Sequence, residues 1–499
     1  MKISVCLNPE QLRRWHCWLI DRLVRDGHQV RLRYEVSSFH FPPALAALLM
    51  VQRTLSGGGE RATDHAEAKD LAAACGAAPA GGVPDVEINL TGEDAAAPRG
   101  SAMELWPLYD GTRDEAALWL ALLQGRAPVL GIGSSGGSTA EIARPVLENP
   151  NSLPRSADNV VSRLVEGIAR AVSRPLERLD NGHATNSTAV EIPITAVGAL
   201  AWKYAQTLAG QALANILANG PAWRTAWRRA PEGRTHLQPL PGLGAYSEIA
   251  TDGQRYYADP FLIFRDGAHH VFVEELPYAT QKGIISHVSI DARGNLSRVT
   301  PVLECAHHLS YPQIIEQEGE IYMLPEASAS GALDLYKAER FPHRWVHAAR
   351  LIDAPLHDAT LFRHDERFYI TAGMQSLRSA SYDALGIYSA PSLFGPWMSN
   401  PGNPVLADGR FSRPAGDVYS ADGSLWRPIQ NGMRGYGAGL EIARIMALDG
   451  THFAQEPVVS HAFSTGRSVL GPHTLNWAAG IEVVDYFASD AALSERKSA

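Results

Sequence analysis

The chain has 499 residues, is 45% apolar and 19% charged, and carries a formal net charge of −9. That length predicts two domains with ample core material, and the spread of charge without a basic block argues against nucleic acid as a partner. Four scattered cysteines (Cys6, Cys17, Cys75, Cys305) make no Cys-x-x-Cys pair, which argues against zinc clusters and a disulfide framework and predicts reduced thiols in the cytoplasm. The first ten residues lack the apolar core of a signal peptide, and no run of about 18 apolar residues occurs, so no membrane span is expected.

Residues 2–7 alternate like a buried first strand. Residues 11–26 have helical periodicity, with Leu12, Trp15, Leu19, Leu23 and Val24 on one face and Gly27 as the stop; residues 29–34 read as the next strand. This strand–helix–strand unit predicts an α/β domain. Residues 55–80 are rich in Ala and Gly and read as surface helix and loop. Strands are predicted over 85–90 and 103–108, a helix over 114–123 and a long amphipathic helix over 156–174. The run Gly-Ser-Ser-Gly-Gly-Ser at 133–138 has backbone N–H groups that could cradle an anion, but it lacks a Walker lysine and reads as a turn. Residues 196–218 are predicted as a helix ending before Pro221. Trp223 and Trp227, set among Arg224, Arg228 and Arg229, are read as an interdomain packing helix. The domain limits that follow are 1–178 for the α/β domain, 179–234 for a helical connector and 235–499 for the remainder.

Three phrases of the first domain resemble the formyltransferase fold: Asp85-Val-Glu-Ile-Asn-Leu-Thr-Gly92, Glu104-Leu-Trp-Pro-Leu and Ala117-Leu-Trp-Leu-Ala-Leu-Leu-Gln-Gly125. Formyltransferases need an Asn, a His and an Asp at the folate site. Trp106-Pro107-Leu108 stands where the His would be, so the resemblance implies a formyltransferase-like domain that has lost formyl transfer.

The second half repeats a short signature. Its segments open Asp259-Pro-Phe-Leu-Ile-Phe, Tyr311-Pro-Gln-Ile-Ile, Asp358-Ala-Thr-Leu-Phe, Arg413-Pro-Ala-Gly-Asp-Val and His473-Thr-Leu-Asn-Trp, at nearly even steps along the chain. Most run through a strand, a turn (265–267, 318–319, 364–366, 421–423) and a second strand. A period of roughly 50 residues with several strands per unit is a propeller signature. The fold class predicted is thus α/β plus all-β, with a five-bladed β-propeller in second place. Too few residues follow His473 for a full blade, so the segment 238–249 is expected to close the ring. The five openers would converge on one pocket. A strand going out, a tight turn and a strand coming back return the chain to the same face after roughly 15 residues. That return brings Glu274, Glu326, Arg427 and Gln430 to the same rim, one layer behind the openers, with Glu275 extending the first pair.

Eight phrases in order resemble a known domain: Tyr257-Ala-Asp-Pro-Phe261, Phe272-Val-Glu-Glu275, His308-Leu-Ser-Tyr-Pro312, Met323-Leu-Pro-Glu326, Phe341-Pro-His-Arg-Trp345, Arg413-Pro-Ala-Gly416, Arg427-Pro-Ile-Gln430 and His473-Thr474. Together they are similar to the propeller that precedes the glycosyltransferase domain of plant glucosamine inositolphosphorylceramide transferases, and that propeller resembles those of five-bladed glycosidases. The resemblance implies a carbohydrate-active protein acting on a glycoside or sugar conjugate, by hydrolysis or glycosyl transfer. It implies Asp259 as base or nucleophile and Asp358 as the carboxylate that orients substrate and tunes pKa. Glycosidases of this kind carry a Glu acid in blade four, where Arg413 stands here, so Glu326 and Glu275 are the substitute acids and Arg413 suits a phosphate or carboxylate. Tyr311, Arg413, Arg427, Gln430 and His473 are the expected substrate contacts, for a carbohydrate or sugar-phosphate ligand. Trp345, Trp397 and Trp426 read as blade packing. No cofactor and no metal is expected, and a homo-oligomer is left open. Two other readings stay open: a non-catalytic glycan-binding or scaffolding module in polysaccharide biosynthesis, and a formyl- or acyltransferase with an accessory propeller.

Overall fold

The computed structural model describes the whole chain except residues 38, 77–81, 94–102, 174–189, 215–221, 232–234, 236, 464–468 and 489–499. The last residues of the predicted 55–80 and 196–218 elements, and much of the 179–234 connector, therefore lie outside the described residues. The chain divides into two compact units: Met1–Asn215 with Ser376–Ala380, and Ile216–Gln375 with Ser381–Ala499.

The first unit opens with β1 (Lys2–Leu7), α1 (Arg14–Arg25) and β2 (Gln29–Tyr34). Helix α1 buries Trp15, Leu19, Ile20 and Leu23. Gly27 ends it at φ 86°, donating to the Val24 carbonyl, since a left-handed residue there meets the orphan carbonyls of the last turn. Then follow α2 (Pro43–Leu55), α3 (Ala68–Cys75), β3 (Val86–Asn89), β4 (Met103–Tyr109), α4 (Glu115–Leu123), β5 (Leu130–Ser134), β6 (Thr139–Ala143), α5 (Leu153–Ser173) and α6 (Ile194–Ala214). The sheet order is β2-β1-β3-β4-β5-β6. Pairs β1–β2, β1–β3 and β3–β4 are parallel, and β4–β5 and β5–β6 antiparallel. The Gly-Ser-rich run is the exposed turn between β5 and β6, a hairpin rather than a cradle.

The second unit begins with β7 (Ala222–Arg229) and β8 (Ser247–Glu248). Four blades follow in chain order. The first holds β9 (Arg255–Arg265), β10 (Ala268–Pro277), β11 (Ile284–Ile290) and β12 (Thr300–Leu303). The second holds β13 (Ser310–Gln317), β14 (Glu320–Glu326), β15 (Leu333–Arg340) and β16 (Arg344–Ile352). The third holds β17 (Leu356–His364), β18 (Arg367–Met374), β19 (Leu385–Ala390) and β20 (Met398–Ser399). The fourth holds β21 (Tyr419–Ala421), β22 (Ser424–Gln430), β23 (Leu440–Leu448) and β24 (Phe453–His461). The fifth combines β25 (Val469–Leu470), β26 (Leu475–Ala478) and β27 (Ile481–Ala488) with β7 and β8. This is a five-bladed β-propeller.

The ring is closed by β7, which pairs with β27 along its whole length from Ala222 to Arg229; β8 adds only an outer edge. Two expectations are corrected by this. Trp223 and Trp227 lie on a strand, not on a packing helix, and the propeller starts well before residue 235. A spacing of four keeps two residues on one face of either a helix or a strand, so the tryptophan pair alone could not tell the two apart. The period of two is visible in the partners. Arg224 bonds Glu248 and Arg228 pairs with buried Glu482 on one face, while Trp227 joins the core on the other.

Apolar clusters fill the gaps between successive blades. Phe272 and Ile285 pack on Met323 and Trp345, and Leu324 and Leu335 pack on Leu361 and Ile370. Across the closing gap, Trp227, Ile481 and Val483 meet Leu262, Val271 and Val273. Trp345, Trp397 and Trp426 all belong to such clusters. The first hairpin of every blade turns on two residues with positive φ: Asp266-Gly267, Glu318-Gly319, Asp365-Glu366, Asp422-Gly423 and Ala479-Gly480. Mirror-image turns of this kind match the right-handed twist of the strands they join.

Candidate functional site

The openers of the first three blades share one backbone device. Asp259, Tyr311 and Asp358 have φ of 50°, 45° and 48°. At each, the ladder slips so that two residues face one: Asp259 and Pro260 against Val273, Tyr311 and Pro312 against Pro325, Asp358 and Ala359 against Ala372. These are β-bulges, which bend a strand and re-aim a side chain, and they recur beside functional sites.

The bulged segments meet at the centre of the ring. Tyr311 N–H donates to Asp259 Oδ2 at 3.3 Å, the Tyr311 hydroxyl accepts from Gly416 N–H at 2.6 Å, and Asn476 Nδ2 donates to the Pro260 carbonyl at 2.8 Å. Gln313 bridges the Leu361 carbonyl and Asp417. The openers therefore meet at the centre, but the expectation that all five surround one pocket holds only for Asp259, Arg413 and His473.

At this centre lies a cavity of about 220 Å³, lined by Trp223, Tyr256, Ala258, Asp259, Glu274, His308, Ser310, Glu326, Arg413, Tyr436 and His473. Of the residues predicted from sequence, Asp259, Glu274, Glu326, Arg413 and His473 line it. Asp358, Tyr311, Arg427 and Gln430 are buried outside the lining. Asp358 holds Arg413 Nε and accepts from Gln430 Nε2 at 3.3 Å. Arg427 Nη2 donates to the Ser412 carbonyl at 2.9 Å, and burial lowers its pKa to about 9. Glu275 faces away, bonded to Arg255 and, at 2.6 Å, to the Ser286 hydroxyl. Its neighbour Glu274 takes the place expected of it, because successive side chains on a strand alternate faces.

The electrostatics of the cavity separate its carboxyl groups. Burial pushes Asp259 up to about 7, against the opposing pull of His473, which lies 3.2 Å from Oδ1. Burial disfavours the His473 cation too, yet Asp485 and Asp259 outweigh it and raise His473 to about 10. Asp485, 3.1 Å from His473 Nδ1, also accepts from Thr474 and from the Asp259 N–H, and is held below the usual carboxylate range despite burial. Desolvation also raises the half-buried Glu326, but His357 at 3.1 Å and the Arg413 cation, with the Asp358 N–H at 2.9 Å, keep it well below that range. Glu274 contacts His308 Nε2 at 3.0 Å and thereby raises the His308 pKa. Asp358 is raised by burial while Arg413 pulls the other way.

Asp259, His473 and Asp485 bring ligand-type atoms within 4.8 Å of one another. His473 Nδ1 is already engaged by Asp485 at 3.1 Å and lies 3.2 Å from Asp259 Oδ1, so the ring nitrogen a cation would need is occupied.

Several lining residues were not singled out from the sequence. Tyr256 and Ala258 stand just before the Asp259 opener on β9, His308 lies two positions before β13 and Ser310 opens it. Trp223 was assigned to a helix. Tyr436 rides on the Gly-rich stretch 432–439, where a Cβ on Gly437 would lie 2.3 Å from the Trp223 ring; the clustered glycines at 432, 435, 437 and 439 were the available signal.

Residues 244–470 match the family described as Glucosamine inositolphosphorylceramide transferase 1, N-terminal. A curated relative of that name from Oryza sativa subsp. japonica is 31% identical over 207 residues, 41% of this chain and 28% of its own length. One from Arabidopsis thaliana is 29% identical over 257 residues, 51% of this chain and 33% of its own. The chain thus spans about a third of the curated relatives it matches. Among solved structures, Zg3597, a family 117 glycoside hydrolase produced by Zobellia galactanivorans, aligns with 54% of this chain and 91% of its own at TM-score 0.35 and 14% identity. The GH43 protein BlXynB from Bacillus licheniformis aligns with 45% and 52% at TM-score 0.34 and 13% identity. The blade count rests on the sheets themselves, not on these alignments. The propeller of this chain is similar to the N-terminal domain of glucosamine inositolphosphorylceramide transferases.

Proposed function

We propose that the propeller is a carbohydrate-active domain that takes a glycoside or sugar conjugate into the central cavity, with Asp259 as its proton-transfer group. One observation carries the reading: two carboxyl groups of one cavity have environments that push their pKa values apart, Asp259 up to about 7 and Glu326 down. Such a split assigns an acid and an ionised partner. The protonated Asp259 gives its proton to the leaving oxygen as the glycosidic C–O bond breaks, and Glu326 and Glu274 oppose the positive charge at the anomeric carbon. Water or an acceptor hydroxyl then attacks, and its proton returns to Asp259. These roles reverse those implied by the glycosidase resemblance, where the first-blade Asp is the base. The relatives' name, a glucosamine transferase, supports a sugar substrate.

The test is turnover of a glycoside panel by the full chain and by Asp259→Asn, which keeps the shape and removes the proton. A loss of at least about a hundredfold is expected; near-normal turnover by the variant sinks the assignment. The second reading, a glycan-binding or scaffolding module, is favoured by Arg413, which occupies the fourth opener and ties down Asp358. It is selected if glycans bind without turnover and Asp259→Asn leaves affinity unchanged. We read the first unit as a formyltransferase-like scaffold without formyl transfer, because Trp106 fills the His position and stacks under the Arg113 guanidinium at 3.3 Å. Formyl transfer from a formyl-folate donor at enzyme-like rates contradicts this. The four free thiols support a cytoplasmic protein.

A further inference from the structure

Two cations in the cavity keep hydrogen-bond donors in reserve. Arg413 is 6% exposed and His473 2%. Arg413 gives its Nε–H to Asp358, and neither of its Nη nitrogens makes a hydrogen bond among the described residues. His473 Nδ1 is hydrogen-bonded to Asp485 and lies 3.2 Å from Asp259 Oδ1, and among the described residues its Nε2 is buried without a partner. Both residues line the same cavity. They flank one ring: the Arg413 guanidinium lies 4.9 Å from the Tyr436 centroid, and the His473 ring 4.8 Å from it. Trp223 also packs on His473, ring centroids 4.6 Å apart, and touches Tyr436 edge-on at 5.9 Å.

Buried donors are normally satisfied, and the orphaned Nε2 of His473 calls for an explanation. A planar guanidinium fork with both Nη free is the form in which Arg accepts a carboxylate or phosphate. The carboxylates nearby do not fill that role. Asp358 binds Nε, Glu326 accepts from His357 and from the Asp358 N–H, Glu274 is held by His308, and Asp259 and Asp485 lie on the far nitrogen of His473. The cavity, at about 220 Å³, is smaller than the roughly 300–1,000 Å³ of sites for drug-sized ligands. It suits one sugar residue with a compact charged substituent rather than a nucleotide sugar.

We propose that Arg413 and His473 form an anion subsite, and that the sugar taken by this cavity carries an anionic oxygen group, a carboxylate or a phosphate. This rests on the reading of the cavity as a sugar site, and the test separates the two. The full chain is titrated by calorimetry with methyl glucoside, methyl glucuronide, glucose 6-phosphate and inorganic phosphate. At least one anionic sugar is expected to bind about tenfold or more tighter than the neutral glucoside, and the tighter of the two identifies the group. Arg413→Lys, which keeps the charge but loses the fork, is expected to remove most of that advantage. The double variant Asp358→Asn/Arg413→Gln, which leaves no buried charge unpaired, is expected to do the same. Equal affinity for glucoside and both anionic sugars overturns the anion subsite and leaves the sugar site standing. Binding of inorganic phosphate without any sugar supports the anion pair and overturns the sugar site. Binding of none overturns both. An anionic preference that survives in both variants overturns the assignment to Arg413. If neither variant folds, the ranking of the four probes on the natural chain decides the matter.

Discussion

Replacing Asp259 by Asn should make the propeller more stable, and more so as pH rises. Asp259 is 4% exposed and its carboxyl is raised to about 7 by burial, whereas an unfolded Asp titrates near about 3.9. The folded pKa is the higher, so between these values the folded chain binds more protons than the unfolded one and stability falls as pH rises. The loss is complete above the folded value. Three units at about 1.4 kcal/mol each give a penalty of roughly 4 kcal/mol at pH 8.5, against about 1.5 kcal/mol at pH 5 where only the unfolded carboxyl is ionised. Asn has no such penalty and tolerates the left-handed conformation at this position. His473 retains Asp485, the larger of its two supports, so its charge persists in the variant. Urea unfolding of both proteins, followed by tryptophan fluorescence, should show the advantage of Asp259→Asn growing by roughly 2–3 kcal/mol between pH 5 and pH 8.5. An advantage of the same size at both pH values refutes the raised carboxyl.

Two further outcomes follow from the fold. A fragment beginning at residue 216 should unfold cooperatively, whereas one beginning at 235 lacks β7, leaves β27 without its partner along the whole strand and should give no cooperative transition; cooperative melting of the shorter fragment would overturn the account of ring closure. Gly416 has φ 146°, and a Cβ there would lie 2.2 Å from the Leu475 carbonyl. Gly416→Ala should therefore cost at least about 2 kcal/mol, read as a drop in melting temperature, and an unchanged melt contradicts the close approach of blades four and five.

The repeat was legible because its openers and turns recur at one phase, and the five openers do meet. The return of the second strand to the rim was legible too. Glu274 pairs with Ala258 and Glu326 with Ser310, each beside its opener. Which of two adjacent acids faces inward was not, since a single-residue bulge at Asp259 shifts the alternation and places Glu274 rather than Glu275 in the cavity. Tyr311 kept its place at the centre, but its hydroxyl is consumed by Gly416 and Thr360, partners a full blade or two away in sequence. Arg427 was misplaced for a similar reason. In blade four the inner strand is short and joins Gln430 N–H to the Arg413 carbonyl, so the chain comes level with its opener only at Gln430, and Arg427 falls outside the lining. Trp223 was lost to an even spacing that serves helix and strand alike.

The three left-handed openers also bear on how such a chain changes under selection. Residues at φ near 50° hold a conformation that Gly adopts freely and that Asp accepts more readily than Tyr, at a cost of order 1–3 kcal/mol for an unfavourable residue. Glycine or asparagine at 259 and 358 would relax the backbone; at 259 it would also remove a carboxyl that burial holds near 7, whereas at 358 it would take away the partner of buried Arg413. A laboratory evolution that rewards only heat resistance is therefore expected to empty the pocket of its acid first, leaving a sturdier ring with nothing at its centre to move a proton.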